Sequence, residues 1–121
     1  MLICLSMQPN QNKMKIDNLF SSKLSEVQNL CKQLKIDELY FFGSSINGNF
    51  IKGKSDLDIL VDTSKENIKN IARLNFELRK LFGCSIDIFH KKWKKHKELE
   101  DYLKMNKVLI YKRKKTATNK V

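Results

Sequence analysis

The chain has 121 residues, of which 24 are lysine or arginine and 13 are aspartate or glutamate, so its formal net charge is +11. This length predicts one domain with a single modest core and excludes a second folded module. The apolar start at residues 2–5 is too short to cross a membrane and lacks the pattern of a signal peptide. We therefore expect no membrane association.

The cysteines and the distribution of charge indicate a compartment and a possible class of partner. Cys4, Cys31 and Cys84 are odd in number and have apolar neighbours, which predicts reduced thiols in a cytoplasmic protein. Residues 90–121 hold 12 basic and 3 acidic residues. Such a tail could steer ATP or a nucleic acid towards a site, but a solvated lysine-rich surface would explain the charge as well.

The first elements in chain order are a loose lead-in, a helix and a strand. Residues 1–18 carry little pattern. Apolar side chains then recur at helical spacing after two capping candidates, Ser21 and Ser22, and they are Leu24, Val27, Leu30, Cys31 and Leu34. The apolar run 38–42 predicts a strand, and it ends at Gly43 and Ser44. Glycine permits close approach of a ligand, and a following helix turn with the Ser44 hydroxyl would suit a phosphate.

The next strand carries two acids on one face. Side chains alternate along a strand, so Asp56 and Asp58 point the same way, while Leu57, Ile59 and Val61 can be buried. Two neighbouring carboxylates repel each other unless a cation lies between them, and magnesium prefers such ligands together with phosphate oxygens. Further along the same face, we interpret Asp62 as a solvent-exposed acid at the strand end.

A second helix leads to a third acid. Thr63 and Glu66 have the spacing of a capping box, and Gly83 is a suitable helix end. The apolar positions predicted for this helix are Ile68, Ile71, Ala72, Leu74, Leu78 and Leu81. In the strand at 85–89, Asp87 faces away from its apolar neighbours. If this strand pairs beside the first acidic strand, three carboxylates converge, and two metals about 4 Å apart could clamp an in-line displacement.

The remaining elements complete a mixed sheet. A weaker helix is predicted from Trp93 to about Met105, and a strand at 108–111. Helices alternate with strands, which indicates an α/β (α+β) fold with helices packed on a small mixed sheet. His90 and His96 have no ligand partners at metal spacing, so we expect surface residues and no zinc site. The aromatic residues do not interleave with basic ones, so we expect them in the core or at its rim rather than as base-stacking platforms.

At this point the chain resembles the nucleotidyltransferases of the DNA polymerase β superfamily. The matching parts, in order, are Gly43 with Ser44, then Asp56 with Asp58, then Asp87. The length is most similar to minimal nucleotidyltransferases, many of which are antitoxins of helical HEPN-type toxins. One part departs from the pattern: many minimal members have an arginine-containing stretch after Gly-Ser, whereas here residues 45–47 carry no charge, and the nearest cations are Lys52 and Lys54.

The resemblance implies a nucleotidyltransferase domain at 19–111, followed by a basic, disordered tail at 112–121. It implies Mg²⁺-dependent transfer of AMP from ATP to a hydroxyl, with two magnesium ions held by Asp56, Asp58 and Asp87, and phosphates bound at Gly43 and Ser44. Asp87 would also take the proton of the attacking hydroxyl. Because the chain has no room for an acceptor domain, we expect the acceptor on a partner toxin.

Two alternatives stay open. One is an antitoxin that acts by binding alone and has a vestigial site, as the missing arginines would suggest. The other is a small basic nucleic-acid-binding protein, which only the charge supports. The acceptor, the preferred base and the oligomeric state do not follow from the sequence.

Overall fold

A computed structural model of the chain describes residues 15–92 and 106–114. Within these ranges the helices are α1 (Asn18–Ser21), α2 (Leu24–Gln33), α3 (Ser44–Asn47) and α4 (Asn70–Phe82), and a 3₁₀ turn covers Lys65–Asn67. The strands are β1 (Glu38–Phe42), β2 (Leu57–Asp62), β3 (Ile86–His90) and β4 (Lys107–Lys112). None of the helices in these ranges has the length and apolar character needed to cross a bilayer.

The four strands form one mixed sheet in the order β3-β2-β1-β4. β1 pairs antiparallel with β2 and with β4, whereas β2 and β3 pair in parallel. The parallel pair requires a crossover connection, and α4 supplies it. The predicted class, a small mixed sheet with helices packed on it, is confirmed.

The alternation predicted for β2 is present. Leu57, Ile59 and Val61 are fully buried, as expected for the core-facing side of this strand. Leu60 is also buried, at 4% exposure, so the other face of the strand is covered at its middle. Asp58 therefore lies on a face that is only partly open to solvent.

Helix α2 follows the predicted apolar spacing but not the predicted cap. Val27 and Cys31 are buried on its inner face. Ser21 instead ends α1, and α2 begins after Lys23 without a side-chain cap. Burial raises the pKa of the Cys31 thiol to about 12, so this cysteine is an unreactive core residue.

Helix α4 begins later than predicted. The capping-box interpretation of Thr63 and Glu66 is wrong, because Thr63 is 1% exposed and its hydroxyl lies 3.0 Å from His90 Nε2. Because the Thr63 hydroxyl contacts His90 on β3, it is not available to cap a helix. The helix begins only at Asn70. Gly83 ends it in the left-handed conformation, as predicted.

The inner face of α4 also differs from the predicted set. Its buried residues are Ile71, Leu74, Leu78 and Phe82. Of the predicted apolar positions, Ile68 precedes the helix and is 39% exposed, and Ala72 is exposed. Phe82 takes the place of these residues in the core because it falls one turn beyond Leu78.

His90 is a core residue, contrary to the surface position predicted for it. It is 3% exposed, it contacts Thr63, and its Nδ1 accepts a hydrogen bond from the Lys92 backbone N–H. Burial lowers the pKa of its imidazole. The neighbouring Asp62 side chain is 23% exposed and lies 3.6 Å from Lys92 Nζ, so it is a partly shielded acid rather than a free one.

Several predictions fall outside the described residues. These are the helix from Trp93 to about Met105, the surface position of His96, and most of the lead-in and tail. At the end of the lead-in, the backbone N–H of Asp17 donates a hydrogen bond to the Ser45 carbonyl oxygen at 2.8 Å. At the start of the tail, the backbone N–H of Arg113 donates one to the Asp37 carbonyl oxygen at 2.7 Å. The domain boundaries at residues 18 and 112 stay predictions.

Phe20 lies at the centre of the core. It is fully buried, and its ring makes edge-to-face contacts with Phe41, Phe50 and Phe82 at centroid distances of 5.6, 4.9 and 4.8 Å. The three partners come from β1, the loop after α3, and the end of α4. The ring therefore joins segments that are distant in sequence.

We expect Phe20→Leu to lower the free energy of unfolding by about 2 kcal/mol, because three aromatic pairs are lost in a filled core. Phe76→Leu is the matched control, since Phe76 is 55% exposed; it should change stability by less than about 0.5 kcal/mol. Urea unfolding followed by circular dichroism measures both. Equal losses in the two variants would contradict the assignment of Phe20 to the centre of the core.

Candidate functional site

The turn after β1 requires glycine for two reasons. Gly43 has φ 75° and ψ −146°, a conformation that residues with a side chain rarely adopt. A Cβ atom at this position would also lie 2.5 Å from Asp58 Oδ2. The backbone of the turn and the carboxyl group on β2 are therefore in close approach.

Helix α3 begins at Ser44, directly after this glycine. The next two residues are buried, with Ser45 at 0% and Ile46 at 2% exposure, and the Ser45 hydroxyl donates to the Phe42 carbonyl oxygen at 3.1 Å. These two side chains hold the short helix against the sheet. Ser44 remains half-buried at the helix start, where its hydroxyl and backbone N–H are available to an anion.

The parallel register brings the predicted acids together. Asp58 on β2 is directly opposite Asp87 on β3. Asp56 is the last residue before β2, and the carboxyl of Asp87 lies within hydrogen-bonding reach of both Asp56 and Asp58. The three acids predicted from the sequence are therefore neighbours at the end of the sheet where β2 and β3 begin.

The environment of Asp58 raises its pKa to about 6. Desolvation by burial is the largest cause, followed by the negative charges of Asp87 and Asp56. Burial and the charge of Asp56 raise the pKa of Asp87 as well. Asp56 and Asp87 are exposed, whereas Asp58 is half-buried, so the two outer acids can be reached from solvent.

These acids suit magnesium by their chemistry. In residues 15–92 and 106–114, no three His, Cys, Asp or Glu side chains surround a common point as metal ligands would, and the contacts among these acids are pairwise. The donor set nevertheless consists of carboxylate oxygens, the ligands that Mg²⁺ prefers. A cation beside Asp58 would offset the negative charges of Asp87 and Asp56, which after burial are the causes that raise the pKa of Asp58.

A pocket beside the acids was not predicted. It has a volume of about 670 Å³ and shares Asp56 with the acid cluster. Its lining includes Lys54, Phe76 and Arg79. Phe76 departs from the expectation that aromatic residues lie in the core or at its rim: it is exposed and close to basic residues. Its position on the α4 face opposite Leu74 and Leu78 is the sequence signal that could have identified it.

The raised pKa of Asp58 predicts a dependence of stability on pH. Its folded pKa of about 6 exceeds the ordinary value of 3.8, so the folded state binds the proton more tightly, and stability falls as pH rises from about 4 through 6. Asp58→Asn removes this charge. In EDTA, which removes divalent cations, the variant should therefore have a higher melting temperature than the wild type at pH 8, and the difference should shrink towards pH 5.

Glu66→Gln is the control for this experiment, because Glu66 is an exposed acid outside the cluster. Its melting temperature should follow that of the wild type at every pH. If the difference in melting temperature between Asp58→Asn and the wild type does not vary with pH, the pKa assigned to Asp58 is contradicted.

Comparisons with known proteins agree with this geometry. The family model described as polymerase beta nucleotidyltransferase matches residues 25–116. A solved structure described as a minimal nucleotidyltransferase is 24% identical, with a TM-score of 0.60 over 72% of this chain and 88% of that one.

A mutant of the MntA–HpeT toxin–antitoxin complex is 13% identical, with a TM-score of 0.55 over 75% of this chain and 74% of that one. At these identities both likenesses concern the fold. No curated protein matches the sequence. Because the family model covers most of the chain, including every acid of the cluster, the protein belongs to the polymerase β nucleotidyltransferase family.

Proposed function

We propose that the protein is a Mg²⁺-dependent nucleotidyltransferase that transfers AMP from ATP to a hydroxyl of a partner toxin protein and thereby acts as its antitoxin. The observation that carries this proposal is the register that sets Asp58 opposite Asp87, with the Gly43 turn against Asp58. Family membership supports nucleotidyl transfer as the reaction.

The three acids would have different roles in metal binding, according to their positions. Asp56 and Asp58 would hold two magnesium ions, and Asp87 would complete the ligand set of one of them. Bound magnesium supplies positive charge that stabilises the charge developing on the phosphates. Gly43 and Ser44 would bind the β- and γ-phosphates through backbone N–H groups and the serine hydroxyl.

Asp87 would also act as the general base. Its carboxylate would accept the proton of the acceptor hydroxyl, whose oxygen then attacks the α-phosphorus while the bond to the pyrophosphate oxygen breaks. Pyrophosphate leaves and AMP remains on the acceptor. Because Asp87 is exposed, a hydroxyl on a separate protein could reach it.

The proposal of a toxin partner is supported by a structural likeness. One neighbour is a toxin–antitoxin complex that carries two Asp-to-Glu substitutions two positions apart. The spacing of those substitutions equals that of Asp56 and Asp58. This supports, for the present chain, an antitoxin role in which the paired acids matter.

Asp87→Ala tests catalysis against binding. We expect at least about a hundredfold loss in the rate of AMP transfer, because a metal ligand and a proton acceptor are both removed. Association with the partner should persist, since one exposed side chain contributes little contact area. The experiment needs a candidate toxin, to be sought as a short helical protein among the neighbouring genes, and mass spectrometry after incubation with ATP and magnesium measures the AMP added.

Asp62→Asn is the matched control for the acids, because Asp62 lies on β2 with Asp58 but at the far end of the strand. It should transfer AMP at the wild-type rate. Full silencing of the partner by Asp87→Ala, with no AMP added, would instead establish an antitoxin that acts by binding alone.

Gly43→Val tests the phosphate position. A side chain there would meet Asp58 Oδ2 and force the turn out of its conformation. We therefore expect ATP affinity in the presence of magnesium to fall more than the free energy of unfolding does, measured by calorimetric titration and urea unfolding. Unchanged ATP affinity would place the phosphates elsewhere.

A further inference from the structure

The pocket that shares Asp56 with the acid cluster has walls from three parts of the chain. Lys54, Ser55 and Asp56 come from the loop before β2, and Cys84 and Ser85 from the loop before β3. Phe76, Arg79 and Lys80 come from one face of α4, since residues three and four apart lie side by side on a helix. Its volume of about 670 Å³ falls within the range of small-molecule sites.

Phe76 gives this pocket an aromatic surface. Its side chain is 55% exposed, while the buried side of α4 is formed by other residues. Lys80 Nζ lies 5.1 Å from the centroid of its ring, so a positive charge is held beside the aromatic surface. One exposed apolar residue is ordinary in a protein, but an exposed ring within a basic pocket is a specific combination.

The cations of the pocket outnumber its single acid. Lys54 and Arg79 form no ion pair with any residue of the described ranges, and Lys80 lies 3.8 Å from Glu77. Cations in the last turn of a helix stabilise it through the helix dipole, which accounts for Arg79 and Lys80. This effect explains neither Lys54, which is on a separate loop, nor the exposed ring of Phe76.

We propose that this pocket binds a nucleoside phosphate, with the base stacked on Phe76 and the phosphate contacted by Lys54 and Arg79. Aromatic rings beside basic side chains bind nucleotides in this manner. The pocket is distinct from the turn at Gly43, because neither Gly43 nor Asp58, which the turn approaches, is among its lining residues, whereas one face of α4 is. The ligand is either a free nucleotide or the terminal nucleotide of a nucleic acid. The binding does not depend on the transfer reaction.

Calorimetric titration of the full chain with AMP, in EDTA and at low salt, tests the proposal. Phe76→Ala and Arg79→Gln should each weaken AMP binding by about tenfold, through loss of stacking and of a phosphate contact respectively. Arg73→Gln is the matched control, because Arg73 is on the same helix, is 65% exposed and lies outside the pocket. It should bind AMP as the wild type does. Raising the salt concentration should weaken binding in the wild type more than in Arg79→Gln.

Two further measurements identify the source of the nucleotide and distinguish binding in this pocket from binding at the transfer site. A six-nucleotide single-stranded RNA that binds much more tightly than AMP would identify a nucleic acid, and equal affinities would identify a free nucleotide. Gly43→Val should leave AMP affinity unchanged within about twofold. Undetectable binding of both probes at millimolar concentration, or an equal loss in Arg73→Gln, would overturn the proposal whether or not AMP transfer occurs.

Discussion

The parallel pairing of β2 with β3 is the constraint on which the site depends. It sets Asp58 opposite Asp87 in an arrangement that repulsion between carboxylates opposes. The pairing persists because Leu57, Ile59 and Val61 are buried on the reverse face, and because the ladder pairs residues 57–61 with the whole of β3. Burial of one face of the sheet thus offsets the electrostatic cost on the other, as is common where function requires like charges to be close.

Local pattern was sufficient to predict the parts of the site that depend on backbone geometry. Alternation predicted that Asp56 and Asp58 point the same way, although β2 begins only at Leu57. Glycine at position 43 predicted close approach of a ligand, and the structure shows there a close approach to Asp58 Oδ2. These predictions depend on residues within a few positions of each other. To predict that Asp87 lies beside Asp56 and Asp58, one must also know that β3 pairs with β2. The sequence indicated the order of the strands only through the alternation of helices and strands.

The predictions that were wrong concern residues whose environment comes from distant parts of the chain. Thr63 has the spacing of a helix cap, but its hydroxyl contacts His90, which is 27 positions away. His90 alternates with Ile86 and Ile88 on one face of β3, but the contact that accommodates its polar ring there comes from Thr63, directly after β2. The pocket at Phe76 is formed by three separate segments, so no single stretch of sequence contains its signal.

The position of β4 in the sheet has a consequence for folding during synthesis. β1 lies between β2 and β4, and its partner residues on β4 come from 107–112, so the edge of β1 remains unpaired while about seventy further residues are made. At ordinary rates of translation this takes several seconds or more. During that interval the apolar Leu39 and Phe41 lie on a strand with free backbone groups, which is the condition under which strands associate with other chains. The nascent chain therefore carries an unpaired strand edge until β4 emerges, and during this interval that edge can pair with another chain.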